Sequence, residues 1–186
     1  MIGFAMTGSH CTLAVALREL SGLVDEGYDV QPIMSENVYS TDTRFFRAEE
    51  LRGRVEEICG RRIIHTVRDA EPLGPATPME YLIIAPTTGN TLAKLATGIT
   101  DTAVTMAAKA HLRCDRPLLL AIASNDAMSQ NLQNIARVIT RRSVYLVPMR
   151  QDDPNGKPHS LVSDFSKLKE SFEMMKRGEQ LRPVFI

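Results

Sequence analysis

Four short polar segments hold the residues of this 186-residue sequence whose types and spacing suit chemistry, and each follows an apolar run. They are Thr7-Gly8-Ser9-His10, Ser35-Glu36-Asn37, Pro86-Thr87-Thr88-Gly89-Asn90-Thr91 and Ala123-Ser124-Asn125-Asp126. A buried strand that breaks through such residues into a helix leaves free backbone N–H groups, and these attract anions and the polar edges of planar ligands. Gly8 allows close backbone approach, Ser9 puts a hydroxyl at a helix start, and Ser35 offers a second hydroxyl beside it. Thr88, Gly89 and Thr91 supply turn and capping chemistry for the helix that follows, and an ordinary capped helix is the plainer reading of that stretch. Neither the Gly-rich dinucleotide fingerprint nor the P-loop pattern is present, which points to a mononucleotide rather than NAD or ATP.

The elements that must position these segments alternate. Apolar runs at 2–6, 28–34, 62–67, 80–85, 117–123 and 143–147 read as strands. Between them, 12–26, 49–59, the helix entered at Thr88–Asn90, 102–111 and 127–140 have helical periodicity. Pro86 is expected to stop its strand, and Gly98 to end the helix after it. The 127–140 helix is expected to bury Met128, Leu132, Ile135, Ala136 and Ile139. Residues 37–47 read as a loop, 71–78 as an irregular proline-rich stretch, 151–160 as an exposed loop, 161–175 as a last helix and 177–186 as a tail. Continuous apolar strands separated by helices predict one α/β domain over 1–186. It would be a three-layer α/β/α, Rossmann-like (flavodoxin-like) fold with a six-stranded, mainly parallel sheet. In such a sheet ligands bind beyond the carboxyl ends of the strands, so the four polar segments share one crevice.

Lys plus Arg equals Asp plus Glu, at 22 each, so the charge balance makes no general case for nucleic-acid binding. No apolar run approaches the roughly 18 residues of a membrane span, and the three cysteines lack metal-ligand spacing; a reduced cytoplasmic protein with no metal site is expected. Cys11 reads as packing, or as a thiol activated at a helix start. His10 reads as a turn residue, or as a donor to phosphate. His65 reads as structural, and His111 as a charge at a helix end.

Thr7-Gly8-Ser9, the block from Ala85 to Lys94, and Gly98-Ile99-Thr100-Asp101 resemble the conserved blocks of the flavoprotein family. That family includes homo-oligomeric flavin-containing cysteine decarboxylases and the flavin prenyltransferases. The resemblance implies FMN in the crevice, with Gly8, Ser9, His10 and Ser35 at its phosphate and Thr88, Gly89 and Thr91 at the next turn. It also implies assembly into trimers or dodecamers, for which the small face of Ala103, Ala107, Ala108 and Ala110 suits close helix approach. The decarboxylases carry a catalytic His shortly before the fourth strand, where this chain has Glu71-Pro72-Leu73.

A narrower resemblance runs through 8–12, 40–45, 70–75, 124–127 and 151–154, and is to the dipicolinate synthase B group. It implies a part in oxidising dihydrodipicolinate to dipicolinate in the mother-cell cytoplasm of a sporulating bacterium. The partner would be the dehydrogenase-like A component of dipicolinate synthase, which is expected to hold NADP. A dicarboxylate substrate favours fixed cations, so Arg44 is the first candidate to grip it and Lys94 the second. For Arg44 the plainer alternative is a solvated surface charge. Asn90 and Asn125 complete the catalytic candidates, as amide donors that position flavin or substrate. An independent FMN decarboxylase or oxidoreductase, and a non-catalytic partner that stabilises the dehydrogenase-like component, remain the alternatives.

Overall fold

The computed structural model describes residues 1–74 and 76–186. Its central strand, β1 (Ile2–Met6), has all five residues buried. It pairs in parallel with β2 (Val30–Met34) on one side and β3 (Tyr81–Thr87) on the other. β3 pairs in parallel with β4 (Leu118–Ser124), and the first half of β4 with β5 (Val144–Leu146). β6 (Met149–Arg150) and β7 (Leu161–Ser163) pair antiparallel with each other, and β7 pairs antiparallel with the last two residues of β4.

The helices are α1 (Leu13–Asp25), α2 (Glu36–Ser40), α3 (Ala48–Cys59), α4 (Val67–Ala70), α5 (Gly89–Thr97), α6 (Ala103–Leu112), α7 (Leu132–Ile139) and α8 (Leu168–Lys176). They cover both faces of the sheet, because successive strand side chains point to opposite sides. Leu82 and Ile84 of β3, with Leu118, Leu120 and Ile122 of β4, pack with α5, α6 and α7. Phe4 and Met6 of β1, with Ile83 and Ala85 of β3, pack with α1, α3 and α8. The expected flavodoxin-like, mainly parallel α/β/α arrangement is present.

Several boundaries differ from the sequence expectation. The sheet has seven strands rather than six. The 62–67 segment makes only an isolated parallel bridge, in which Ile64 N donates to Pro32 O at 3.0 Å and Met34 N donates to Ile64 O at 2.9 Å. Pro86 does not stop β3: the Ala85–Pro86 peptide is cis, the pairing with β4 shifts register between Ile84 and Thr87, and the strand continues to Thr87. Residues 37–47 contain the end of the short helix α2, and Leu161 opens a strand rather than the last helix. The proline-rich stretch makes turns where it is described, and Pro75 lies outside the described residues.

Two expected apolar faces point elsewhere. α7 begins at Leu132, after a turn, and buries Ile135 and Val138. Leu132, Ala136 and Ile139 share its outer face, leaving Leu132 48% and Ile139 37% exposed, with Met128 in the preceding turn at 43%. Periodicity found the helix but not the face that turns inward. Conversely, Ala103, Ala107, Ala108 and Ala110 are all buried within this chain and are not offered to another copy. α4 packs on α6 here. A β-carbon on Gly74 would stand 2.7 Å from Ala110 O.

Candidate functional site

The carboxyl ends of β1, β3 and β4 open into a cleft of about 610 Å3, within the range of roughly 300–1,000 Å3 common for small-molecule sites. Thr7, 1% exposed, ties two of its turns together. Its Oγ1 donates to Pro86 O at 2.8 Å and accepts from Thr88 N at 2.9 Å, while Thr7 N donates to Pro86 O at 3.2 Å. Thr88 then caps α5, its Oγ1 accepting from Thr91 N at 3.3 Å and donating to Thr91 Oγ1 at 3.1 Å. Capping of this kind is worth about 1 kcal/mol. Gly98 ends the helix with φ 79°, a left-handed conformation that favours glycine.

At the first turn, Ser9 makes no capping bond with its side chain, and a 3-10 turn (His10–Thr12) leads into α1. The His10 ring folds back over Gly8, with Nε2 3.5 Å from the place a β-carbon would occupy. At the end of β4, Asp126 Oδ1 accepts from Ser124 Oγ and from Asn131 Nδ2, the latter at 2.8 Å. The Ser124 hydrogen bond, followed by the Asn131 amide, holds the Asp126 carboxyl below its usual range, so Asp126 is an anion with both neighbours committed to it. Gly89 lies against this cluster: a β-carbon there would fall 2.5 Å from both Asn131 Nδ2 and Ser124 Oγ. Only glycine admits that contact between α5 and the β4 turn.

Two further loops complete the walls. Thr43 builds a tight turn in which its N donates to Phe46 O at 2.9 Å and its Oγ1 accepts from Phe45 N at 3.2 Å. Phe46 packs on the core, so Arg44 and Phe45 project from a braced turn rather than from an irregular loop. The Arg44 guanidinium lies over the Phe45 ring, 4.8 Å from its centroid. The second loop, 151–160, is brought in by β7, whose Leu161 and Val162 pair with Ser124 and Ala123. Residues 152–159 are exposed and Ser160 is buried, and the loop walls the cleft with Asp152, Lys157 and Ser160. Lys157 Nζ meets Asp152 Oδ2 at 2.8 Å. That contact raises the lysine above its usual range and lowers the aspartate.

Of the residues predicted from sequence, Gly8, Ser9, His10, Arg44, Thr88, Gly89, Asn90 and Asn125 line this one cleft. Thr91 does not; it is buried and props the Thr88 cap. Ser35 does not line it either. Its N donates to Met6 O, and its Oγ is enclosed without a hydrogen-bond partner among the described residues. The bond from Ser35 N to Met6 O sets this residue beside the end of β1, and Asn37, two residues on, packs near Gly8.

Lys94 is placed elsewhere: it pairs with Asp101 at 2.8 Å and lines a different pocket, near Ile99 and Lys109. His111 is fully buried and is not a charge at a helix end. Its Nε2 lies 2.7 Å from Pro117 O, Nδ1 has no partner among the described residues, and burial pushes its pKa down to about 4. His65 stacks on Tyr39 with centroids 3.6 Å apart, a packing role. Asp126, Asn131, Phe45, Asp152 and Lys157 were missed as site residues. The Asp152-Asp153 pair reads in sequence as an ordinary acidic turn, and that holds for Asp153, whose Oδ1 accepts from Gly156 N.

A mainly parallel α/β sheet with a polar cleft at the carboxyl ends of its strands defines a class of protein that binds small ligands at that edge. The chain belongs to the flavoprotein family, whose model matches residues 1–166. It is similar to the B component of dipicolinate synthase from Bacillus subtilis (strain 168), with 40% identity over 185 residues, covering 100% of this chain and 92% of that protein. The crystal structure of the corresponding dipicolinate synthase component from Bacillus halodurans C superposes with a TM-score of 0.91 at 40% identity, covering 100% of this chain and 95% of that one. A dodecameric FMN-dependent UbiX-like decarboxylase from Escherichia coli O157:H7 gives a TM-score of 0.61 at 19% identity over 80% of each chain, a likeness of fold alone.

Proposed function

We propose that this chain is the flavoprotein-like half of a two-component dipicolinate synthase, acting with a dehydrogenase-like partner in the mother cell of a sporulating bacterium. The observation that carries this reading is the 40% identity to the Bacillus subtilis dipicolinate synthase B component, which covers the whole chain. The reaction removes a hydride and a proton from dihydrodipicolinate and leaves the aromatic dicarboxylate. The hydride acceptor is assigned to NADP on the dehydrogenase-like partner, since no side chain accepts a hydride.

The cleft residues suit an FMN phosphate. The Ser35 hydroxyl is buried and unpartnered among the described residues, and the Ser9 side chain is not spent on capping. Gly8, Ser9 and His10 would hold the phosphate, with the Ser35 hydroxyl behind them, and Thr88, Gly89 and, through the cap it supports, Thr91 would shape the next turn. When bound, FMN supplies two-electron redox chemistry. The protein groups orient and enclose: Asn90 and Asn125 present amides to the same cleft that Arg44 enters. Assembly into a homo-oligomer belongs to the same reading.

The test is to purify this chain and its dehydrogenase-like partner, singly and as a pair, and to follow dipicolinate formation from dihydrodipicolinate with NADP. The pair should turn over at least about tenfold faster than the dehydrogenase-like partner by itself. Equal rates would remove this chain from the reaction. Titration with FMN, comparing wild type with Ser9→Asp, reports separately on the phosphate site, where the added carboxylate should abolish binding.

A further inference from the structure

Two cations and two carboxylates line the cleft, and among the described residues Arg44 is the one cation of the two without a carboxylate partner. Asp126 is committed to Ser124 and Asn131, and Asp152 to Lys157. Arg44 has no carboxylate partner among the described residues, and its guanidinium rests only on the Phe45 ring. Phe45 is itself 44% exposed, an aromatic surface held at the tip of a braced turn with the Arg44 guanidinium over its ring.

Lys157 is held comparably firmly. Its N donates to Asp153 O at 2.8 Å and its O accepts from Ser160 N at 3.0 Å. The loop is pinned to the β4 turn where Met128 N donates to His159 O at 2.9 Å, and across itself where Gln151 Nε2 donates to Pro158 O at 2.9 Å. Lys157 lines the same cleft as the first turn. Two cations from separate braced loops and an exposed aromatic ring thus line one cleft.

That combination matches a planar ring carrying two carboxylates. A guanidinium grips one carboxylate in a fork, an ammonium takes the other as a point charge, and the ring stacks on an aromatic face. Resting on the dipicolinate reading above, we propose that Lys157 and Arg44 each bind one carboxylate of a planar dicarboxylate whose ring lies against Phe45. Asp152 pairs with Lys157 until the ligand arrives and gives way to its second carboxylate. Lys157 is then the residue that distinguishes a diacid from a monoacid, and Asp152 is an internal competitor that weakens binding.

Calorimetric titration of the folded chain with pyridine-2,6-dicarboxylate and pyridine-2-carboxylate tests this in wild type, Lys157→Met and Asp152→Asn. Wild type should prefer the diacid by roughly tenfold or more, the usual scale for one charge-assisted contact. Lys157→Met should bind the two acids alike, with its unfolding free energy unchanged. Asp152→Asn should bind the diacid several-fold more tightly and the monoacid as before. A preference retained in Lys157→Met overturns the proposal, and so does an unchanged diacid affinity in Asp152→Asn. If wild type binds neither acid, the dicarboxylate reading of the cleft fails as a whole. If wild type binds the diacid and Lys157→Met still prefers it, that reading survives and only the role of Lys157 falls.

Discussion

Thr88 donates its backbone N–H to the Thr7 hydroxyl at 2.9 Å, across 81 positions of sequence, and the same hydroxyl donates to Pro86 O at 2.8 Å. One buried side chain therefore sets the spacing between the turn after β1 and the start of α5, two walls of the cleft. Replacing it with valine keeps the shape, strands Thr88 N and leaves Pro86 O with only the longer bond from Thr7 N.

Thr7→Val should lower unfolding free energy by about 1–3 kcal/mol, the cost of leaving buried polar groups unpaired, whereas Thr7→Ser should lose less. Urea denaturation with an unchanged slope is the measurement. A variant as stable as wild type would mean that water or a shifted Thr88 replaces the bond.

His111 gives the protein a pH dependence of defined sign. Its folded-state pKa is about 4, below the ordinary value of 6.5, because burial disfavours the charged ring. Below pH 6.5 the unfolded chain takes up a proton that the folded chain refuses, so stability falls as pH drops from about 6.5 to about 4. The full loss is on the order of 3 kcal/mol. Above that window the group contributes no slope. Unfolding free energies of wild type minus His111→Gln, measured from roughly pH 7.5 to 4, should decline through that window. A flat difference would show that the folded protein binds the proton normally.

Asn90 and Arg44 are proposed to position the substrate rather than move protons. Asn90→Ala and Arg44→Ala should each lower turnover by the reconstituted pair at least about tenfold, near 1.4 kcal/mol of transition-state stabilisation. Thr88, not Asn90, is the residue that caps α5, so Asn90→Ala leaves the cap in place and the comparison is clean. Unchanged rates in both variants would move the chemistry wholly to the dehydrogenase-like partner.

Self-assembly, if it uses an apolar surface, has one on α7. Leu132 and Ile139 are 48% and 37% exposed on one outer face, with Ile99 at the end of α5 at 49%. Light scattering at micromolar concentration should give an oligomer for wild type and smaller species for Leu132→Glu with Ile139→Glu. An oligomer unaffected by the pair would place the contact on another face.

Sequence alone determined what depends on near neighbours. Strand and helix could be told apart because apolar runs and helical periodicities are local patterns, and the four polar segments stood out because each interrupts one. Eight of the eleven candidate residues named from sequence meet in one cleft, since the rule that sends ligands to the carboxyl ends of parallel strands needs only the order of elements. Contacts that close over long separations were out of reach. β7 pairs antiparallel with Ala123 and Ser124 because β5 covers only Leu118–Leu120 of β4 and leaves its end free. That single pairing carries Lys157 and Asp152 into the cleft. Lys94 left the site because Asp101, seven residues on, closes on it once Gly98 has turned the chain. The inward face of α7 and the burial of His111 were settled in the same way. A helix's period fixes which residues share a face, but only the surfaces packed around it decide which face meets the core.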